Sequence, residues 1–275
     1  MSTAIQPGIE LRGERTPISR LLRDLWRSRE LMRTLARKDF YVRFRRASFG
    51  MLWAIGLPLV QAVVLAVIFS RIVRFETGVP YTVFVLSGVL PWTFFSTAVN
   101  AGTMAIVEGS ELATKIYFPR AVLPIVSVWS GFYGYVPALV ILLGLAAVLG
   151  ASLGPELLLM FPATLLLLTL CTGFALVLAG LQVYFRDMRY VVTAALLPWF
   201  WASGVIYPLD VLGTLGKWLE LNPAVGMIDF YRASLGGAQP GWGSRALIAA
   251  GWAIVLHAVA LPMYCRRDRV FVDLL

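Results

Sequence analysis

The sequence predicts an all-α integral membrane protein with six transmembrane helices, and three observations support this fold class. Hydrophobic residues make up 59% of the 275 residues and charged residues 14%, whereas a soluble domain has about 45–50% and about 25%. Six uncharged stretches each reach the roughly 20 residues that a helix needs to cross about 30 Å of hydrocarbon. Lysine and arginine are concentrated in alternate loops. The composition excludes a soluble enzyme, a disordered chain and a nucleic-acid-binding module, so the net charge of +9 does not indicate a nucleic-acid partner.

The distribution of cations orients the predicted helices. Of the 24 lysines and arginines, 19 lie in segments that six crossings place on the side of the two termini, and 5 lie on the other side. Because the loops rich in lysine and arginine lie on the cytoplasmic side of a membrane, both termini are predicted to be cytoplasmic. The stretch 121–155 counts as one span, since its 35 residues reach only about 52 Å as a helix. The predicted spans are about 50–72, 82–104, 123–149, 157–180, 191–207 and 246–265.

Before the first span the sequence predicts an N-terminal tail over 1–16 and a basic amphipathic helix over 17–46. Apolar residues such as Leu21, Leu25 and Met32 recur at helical spacing, with arginines between them. A helix of this kind lies in the membrane interface with its cations toward anionic headgroups. It either serves only as a topology anchor or also guides an anionic headgroup into the protein. Five cations crowd its end, namely Arg37, Lys38, Arg43, Arg45 and Arg46.

The short cytoplasmic loop at 105–120 carries charges on one predicted helical face. Glu108, Glu111 and Lys115 are spaced i, i+3 and i+7, and Pro119 ends the helical pattern. A short polar helix between two spans is a candidate docking element for a soluble partner. The alternative is an ordinary solvated connector.

The longest extracytoplasmic segment, 208–245, divides at Asn222 and Pro223 into two amphipathic pieces, about 210–221 and 224–235. Each piece is too short to span the membrane. We expect them to dip back into the membrane or to lie on its outer face, where they form either a lid over an exit path or a pair of interfacial helices. The candidate lid residues are Trp218, Asn222, Pro223 and Met227.

Aromatic residues inside the predicted spans are candidates for the lining of a path. Aromatic faces stack on sugar rings with little hydrogen-bond specificity, whereas the alternative for each residue is ordinary packing between helices. The candidates are Trp92, Phe94, Phe95, Trp129 and Tyr133.

The sequence contains no recognisable catalytic constellation. His257 is the single histidine, so histidine-based metal sites and Ser–His–Asp triads are not expected. A phosphate-binding loop of the form G-x-x-x-x-G-K-[ST] is also missing. The chain is therefore predicted to be a passive channel, a membrane enzyme, or the membrane part of a machine that another subunit drives.

Short strings such as Leu90-Pro91-Trp92, Tyr184-Phe185-Arg186-Asp187 and Leu221-Asn222-Pro223 follow one another along the chain. In this order they resemble the membrane subunit of ABC-2 type polysaccharide exporters. The resemblance extends over about 30–273. The matching strings are 37–44, 48–53, 78–81, 87–95, 115–120, 184–189, 205–208, 221–223 and 266–273.

The resemblance implies a permease subunit without its own nucleotide site, in the inner or plasma membrane of a bacterium. Two copies would pair, and two separate ATPase subunits would bind Mg-ATP, with no cofactor in this chain. The substrate would be a glycan on a polyprenyl diphosphate, since members export O-antigen, capsule, teichoic acid or cell-wall galactan. Residues 47–275 would form the ABC-2 transmembrane domain, the 105–120 loop the coupling helix, and the two extracytoplasmic pieces the gate helices.

The same resemblance gives the cations at 37–46 a role at the entrance, where they would collect the diphosphate of the lipid carrier. Three alternatives stay open at this point. An ABC-2 exporter of a smaller substrate, such as a drug or a lipid, would have the same fold. A membrane enzyme of glycan assembly would need clusters of extramembrane acids or histidines, and a simple channel would need no ATPase partner.

Overall fold

The computed structural model shows a bundle of helices, and all regular structure in the part it describes is helical. It describes residues 17–45, 52–53, 56, 59–60, 63–64, 67–68, 77–111, 118–151 and 154–267. The helices are α1 Ile18–Arg27, α2 Arg29–Phe44, α3 Tyr81–Glu108, α4 Val122–Val148, α5 Met160–Tyr184, α6 Met188–Trp201, α7 Thr214–Leu219, α8 Pro223–Ser234 and α9 Trp242–Arg267, with 3-10 helices at Pro155–Leu159 and Leu209–Leu212.

Four helical segments of the described chain are long and apolar enough to cross a membrane. They are α3, α4, the continuous segment Pro155–Tyr184 and α9, and they match the second, third, fourth and sixth predicted spans. α4 runs through Pro137 as one helix, as expected from the length of its uncharged stretch. The first predicted span lies largely outside the described residues, although its described positions, such as 63–64, are helical.

The fifth predicted span differs from the structure at its end. α6 ends at Trp201 and has 14 residues, which is about 21 Å of helix, whereas the prediction extended to residue 207. The chain turns at Gly204, whose φ is +59°, a left-handed conformation that favours glycine. Arg232 then binds the backbone carbonyls of Gly204 and Val205, so these groups are satisfied outside a helix. Six crossings therefore stay a prediction.

The predicted N-terminal helix is two helices that meet at Ser28. Leu21 of α1 packs with Leu176 of α5 and Tyr264 of α9. Ala36 of α2 packs with Phe118 and Val122 at the start of α4. Each helix follows a different part of the bundle, which explains the break. The N-terminal helices and the end of α9 thus lie at the same end of the bundle.

The centre of the bundle is α3, which packs on α4 and α5. Most of its side chains are buried, from Val83 to Ile106. At Gly102 a side chain would collide with Ala175, so glycine lets α3 and α5 approach closely at this crossing.

α8 is buried on all sides, whereas the sequence predicted an amphipathic piece that either dips back into the membrane or lies on its outer face. Its residues from Pro223 to Ser234 are buried except Phe230, and it packs on α9, α3 and α5. A side chain at Gly226 would collide with the backbone carbonyl of Arg245, so α8 and α9 are in close contact. α7 is different, because Trp218 is 72% exposed.

Candidate functional site

A groove of about 590 Å³ lies between α3 and α6. It contains aromatic, aliphatic, hydroxyl and amide groups, and none of its described lining residues is ionisable. The lining residues are Val64, Trp92, Ser96, Thr97, Asn100, Thr193, Leu196, Leu197, Phe200 and Trp201.

The polar side of the groove comes from both helices. The Thr193 hydroxyl donates to the backbone carbonyl of Arg189 at 2.8 Å and lies 3.5 Å from the amide oxygen of Asn100. The Thr97 hydroxyl donates to the carbonyl of Thr93 at 2.7 Å. Because these hydroxyls use their protons within their own helices, their oxygens can act only as acceptors toward a ligand in the groove.

The aromatic side of the groove is held by a packed cluster behind it. The ring of Trp92 lies 5.8 Å from that of Phe200 and 6.1 Å from that of Trp199, both edge to face. Trp201 is 47% exposed and offers the most accessible ring. A neutral surface with fixed aromatic rings and a few polar groups suits a ligand that is itself polar and uncharged, such as a sugar chain.

The five aromatic candidates from the sequence do not form one cluster, although the rings of Trp92 and Phe95 lie 5.6 Å apart. Trp92 lines the groove. Phe94 stacks on Tyr135 at 4.9 Å, and Phe95 is 1% exposed within the core. Trp129 is exposed on α4, and Tyr133 lies near Phe40 of α2. Their role as a common lining stays a prediction, and the groove adds Phe200 and Trp201, which the sequence analysis did not single out.

The predicted coupling residues lie where α3 ends. Glu108 is the last residue of α3, so the helix continues beyond its predicted end at residue 104. Glu108 and Glu111 are both exposed, whereas Lys115 lies outside the described residues. The exposed carboxylates are at the end of the bundle that also holds α1 and α2.

Three of the predicted entrance cations, Arg37, Lys38 and Arg43, lie on α2, which packs on α4, and Arg45 follows its last residue. Arg37, Lys38, Arg43 and Arg45 are exposed, and Arg46 lies outside the described residues. Arg43 pairs with Asp39 at 3.2 Å, an exposed pair one helical turn apart that contributes little stability. Their role as an entrance stays a prediction.

Among the lid candidates, Asn222 forms a four-bond junction. Its side-chain oxygen accepts from the indole N–H of Trp199 at 2.8 Å and from the backbone N–H of Ala224 at 3.0 Å. Its amide nitrogen donates to the carbonyl of Ala202 and to the hydroxyl of Ser203, both at 3.1 Å. Asn222 therefore caps α8 and fixes it to the end of α6. Pro223 and Met227 follow in α8 and are buried.

A buried ion network holds α8 in place, and the sequence analysis missed it. The Asp229 carboxylate accepts from Arg232 at 3.2 Å and from Arg245 of α9 at 2.6 Å. Arg232 also donates to two backbone carbonyls after α6 at 2.8 Å each, and its guanidinium lies 3.6 Å from the ring centre of Phe84. The only hint in the sequence is the i, i+3 spacing of Asp229 and Arg232, because Arg245 follows in another helix.

Burial lowers the pKa of Arg232 to about 10, and Asp229 opposes this shift. At neutral pH the guanidinium still carries its charge. The Asp229 side chain thus lies between the charged Arg232 and Arg245, both of which are buried.

Two structural facts bear on metal and histidine positions in the part of the chain that the structure describes. No group of three or more His, Cys, Asp or Glu side chains is placed to hold a metal among these residues. The His257 ring nitrogen Nδ1 is 2.8 Å from the carbonyl of Ala253 one turn earlier, a structural bond within α9.

Comparison with known proteins gives a family match over most of the chain. The family model described as ABC-2 type transporter matches residues 30–235. An O-antigen export system permease protein RfbA of Myxococcus xanthus is 33% identical over 222 residues, which cover 78% of this chain and 83% of that protein.

Two further relatives are more distant. A protein of the same name from Klebsiella pneumoniae is 25% identical over 206 residues, covering 74% of this chain and 79% of the relative. The polysialic acid transport protein KpsM of Escherichia coli is 24% identical over 246 residues, covering 86% and 92%.

Proposed function

This chain belongs to the ABC-2 type transporter family, and on that premise we propose that it is the membrane subunit of an ATP-driven polysaccharide exporter. It is a multi-pass protein of the bacterial membrane. The groove between α3 and α6 carries the proposal, because its neutral aromatic and hydroxyl lining suits a sugar chain. The relatives support the same substrate class, since their names refer to O-antigen export and polysialic acid transport.

The proposed substrate is a glycan attached to a polyprenyl diphosphate, which moves from the cytoplasm to the outer face of the membrane. A long polymer needs a path without a deep charged pocket, since strong local binding would stop its stepwise movement. The described lining of the groove has this neutral character.

The proposed machine contains two copies of this chain and two ATPase subunits that bind Mg-ATP. The groove is open on one side, where Leu197 and Trp201 are exposed. A second copy would complete its wall. The exposed carboxylates of Glu108 and Glu111, together with Lys115, would contact the ATPase at the cytoplasmic end.

At the other end α7 and α8 form the proposed closure of the path. α8 is seated on α3, α5 and α9, and Asn222 fixes its start to α6. Opening would require these contacts to change. Because α8 is buried and α7 is exposed, we propose that α8 forms the seal and α7 its outer cover.

The groove is tested by removing its most exposed ring. We expect Trp201→Ala to lower glycan-stimulated ATP hydrolysis of the reconstituted complex by about tenfold at a fixed substrate concentration, since a stacking ring contributes on the order of 1–3 kcal/mol. Trp26→Ala is the control, because Trp26 is also exposed but lies on α1, outside the groove. The measurement is ATPase activity against the concentration of lipid-linked oligosaccharide.

Equal effects of the two variants would contradict the groove as the path. Stimulation of the wild-type complex by drugs or simple lipids, with none by lipid-linked glycan, would instead favour the exporter of a smaller substrate.

A further inference from the structure

A second cavity, of about 380 Å³, lies at the turn between α5 and α6. Unlike the α3–α6 groove, it is lined by charged residues. Its lining residues are Met104, Val107, Gln182, Val183, Arg186, Asp187, Arg189 and Tyr190.

A buried amide fixes the shape of this turn. Gln182 is 3% exposed. Its side-chain nitrogen donates to the carbonyl of Arg186 at 2.8 Å, and its side-chain oxygen accepts from the backbone N–H of Arg189 at 2.8 Å. One side chain therefore holds both ends of the turn, and the backbone positions of the two arginines are set relative to each other.

The two arginines are available for an anion. Both are exposed, and neither forms an ion pair with another described residue. The Arg189 guanidinium lies over the ring of Tyr190, 4.4 Å from its centre, and donates to the Tyr190 hydroxyl. Asp187 is the single acid in the described lining, which leaves the cavity with a net positive charge.

The cavity and the groove are consecutive along the same pair of helices. On α6 Arg189 lies one turn before Thr193 of the groove, and on α3 Met104 lies about one turn beyond Asn100. The cavity lies toward the bundle end that holds α1, since its residue Val183 packs in one cluster with Leu21. A ligand in the cavity is therefore positioned to extend into the groove.

We infer that this cavity binds the diphosphate that links a lipid carrier to its glycan, with Arg186 and Arg189 as the ligands of its oxygens. The inference rests on the proposed function. Arginine's planar fork matches phosphate oxygens, and charge-assisted bonds of this kind are the strong ones. This site is distinct from the predicted entrance cations of α2, where Arg43 already pairs with Asp39. With the diphosphate at this turn, the first sugars reach the aromatic rings of the groove.

The test uses the complex of this chain with its ATPase in nanodiscs of phosphatidylcholine, with farnesyl diphosphate as the probe. We expect Arg186→Gln/Arg189→Gln to weaken binding of the probe by at least about tenfold, because each arginine contributes a charge-assisted bond. Arg23→Gln/Arg33→Gln, which removes two exposed cations from α1 and α2, is the control and should change affinity less than about twofold. Farnesol should bind the wild-type and variant complexes equally.

Three results would overturn the inference. One is an unchanged affinity of the Arg186→Gln/Arg189→Gln variant for farnesyl diphosphate. Another is a tenfold loss of affinity for farnesyl diphosphate in Arg43→Gln/Arg45→Gln but not in Arg186→Gln/Arg189→Gln, which would place the site on α2. The third is loss of farnesyl diphosphate binding in phosphatidylglycerol nanodiscs, which would show a site for phospholipid headgroups. Failure of the proposed function is separate, because lipid-linked glycan would then not stimulate ATP hydrolysis even in the wild-type complex.

Discussion

At the scale of single residues, the polar groups at the end of the bundle that holds α7 and α8 fix the position of α8. Asn222 could serve as a simple helix cap with one bond to Ala224, yet it also binds Trp199, Ala202 and Ser203. A side chain whose donors and acceptor are used by four separate groups cannot rotate without breaking hydrogen bonds. The junction at Asn222 is therefore a fixed point, and movement of α8 must carry the end of α6 with it.

The Asp229 carboxylate gives the residue-scale prediction. We expect Asp229→Asn to destabilise the protein by about 3 kcal/mol, because it leaves Arg232 and Arg245 buried without their shared counter-ion. Glu220→Gln removes a carboxylate from the edge of the same network, 3.6 Å from Arg245 and 41% exposed, and should cost less than about 1 kcal/mol. Thermal unfolding of the purified proteins, followed by tryptophan fluorescence, compares the two. Equal midpoints would mean that the buried pair does not hold α8.

At the scale of helices, hydropathy predicted the segments whose length is set by their own apolar residues. It did not predict the end of a helix that depends on contacts with a distant residue. α3, α4, α5 and α9 coincide with long uncharged stretches, so apolar length alone indicated them. α6 ends early because Arg232, distant in sequence, binds the carbonyls of Gly204 and Val205. A pairing of this kind leaves no local signal in the sequence.

The candidate site was less predictable than the fold for a related reason. Trp92 was found because any aromatic residue inside a span is a candidate, whereas the choice among such residues depends on which face of each helix turns inward. α3 is apolar around its whole circumference, so its sequence does not distinguish Phe95 in the core from Trp92 at the groove. The spacing of Gln182, Arg186 and Arg189 in the sequence also gave no sign that one side-chain amide holds the α5–α6 turn.

The end of α3 gives the prediction at this scale. We expect Glu111→Arg to reduce co-purification of the ATPase subunit at least about fivefold, because Glu111 is exposed beyond α3 at the end that is proposed to face the ATPase. Glu156→Arg is the matched control, since Glu156 is an exposed acid in the 3-10 helix at the opposite end of the bundle. Affinity purification from membranes followed by quantitative blotting gives the ratio of the two subunits. Normal recovery of the ATPase with Glu111→Arg would make this segment a simple connector.

At the scale of the whole molecule, exposed positive charge differs between the two ends of the bundle. The difference is larger than the numbers of lysines and arginines in the predicted loops indicate. Described residues 17–45 carry nine lysines and arginines, all at the end that also holds Arg186 and Arg189. At the other end Arg232 and Arg245 are buried and paired with Asp229. Among the described cations there, Lys217 alone is exposed. Juxtamembrane cations favour the cytoplasmic side with its anionic lipids.

This asymmetry predicts the orientation in the membrane. With Cys171 and Cys265 replaced by serine, we expect Trp218→Cys to react with a membrane-impermeant maleimide in right-side-out spheroplasts, because Trp218 is 72% exposed on α7. Arg33→Cys on α2 is also exposed and should react more than about tenfold faster after the membrane is permeabilised than before. The two positions control for each other, because each is accessible on one side. The opposite pattern would place the N-terminal helices outside, so Glu111 and the α5–α6 cavity would face away from ATP and from any substrate made in the cytoplasm.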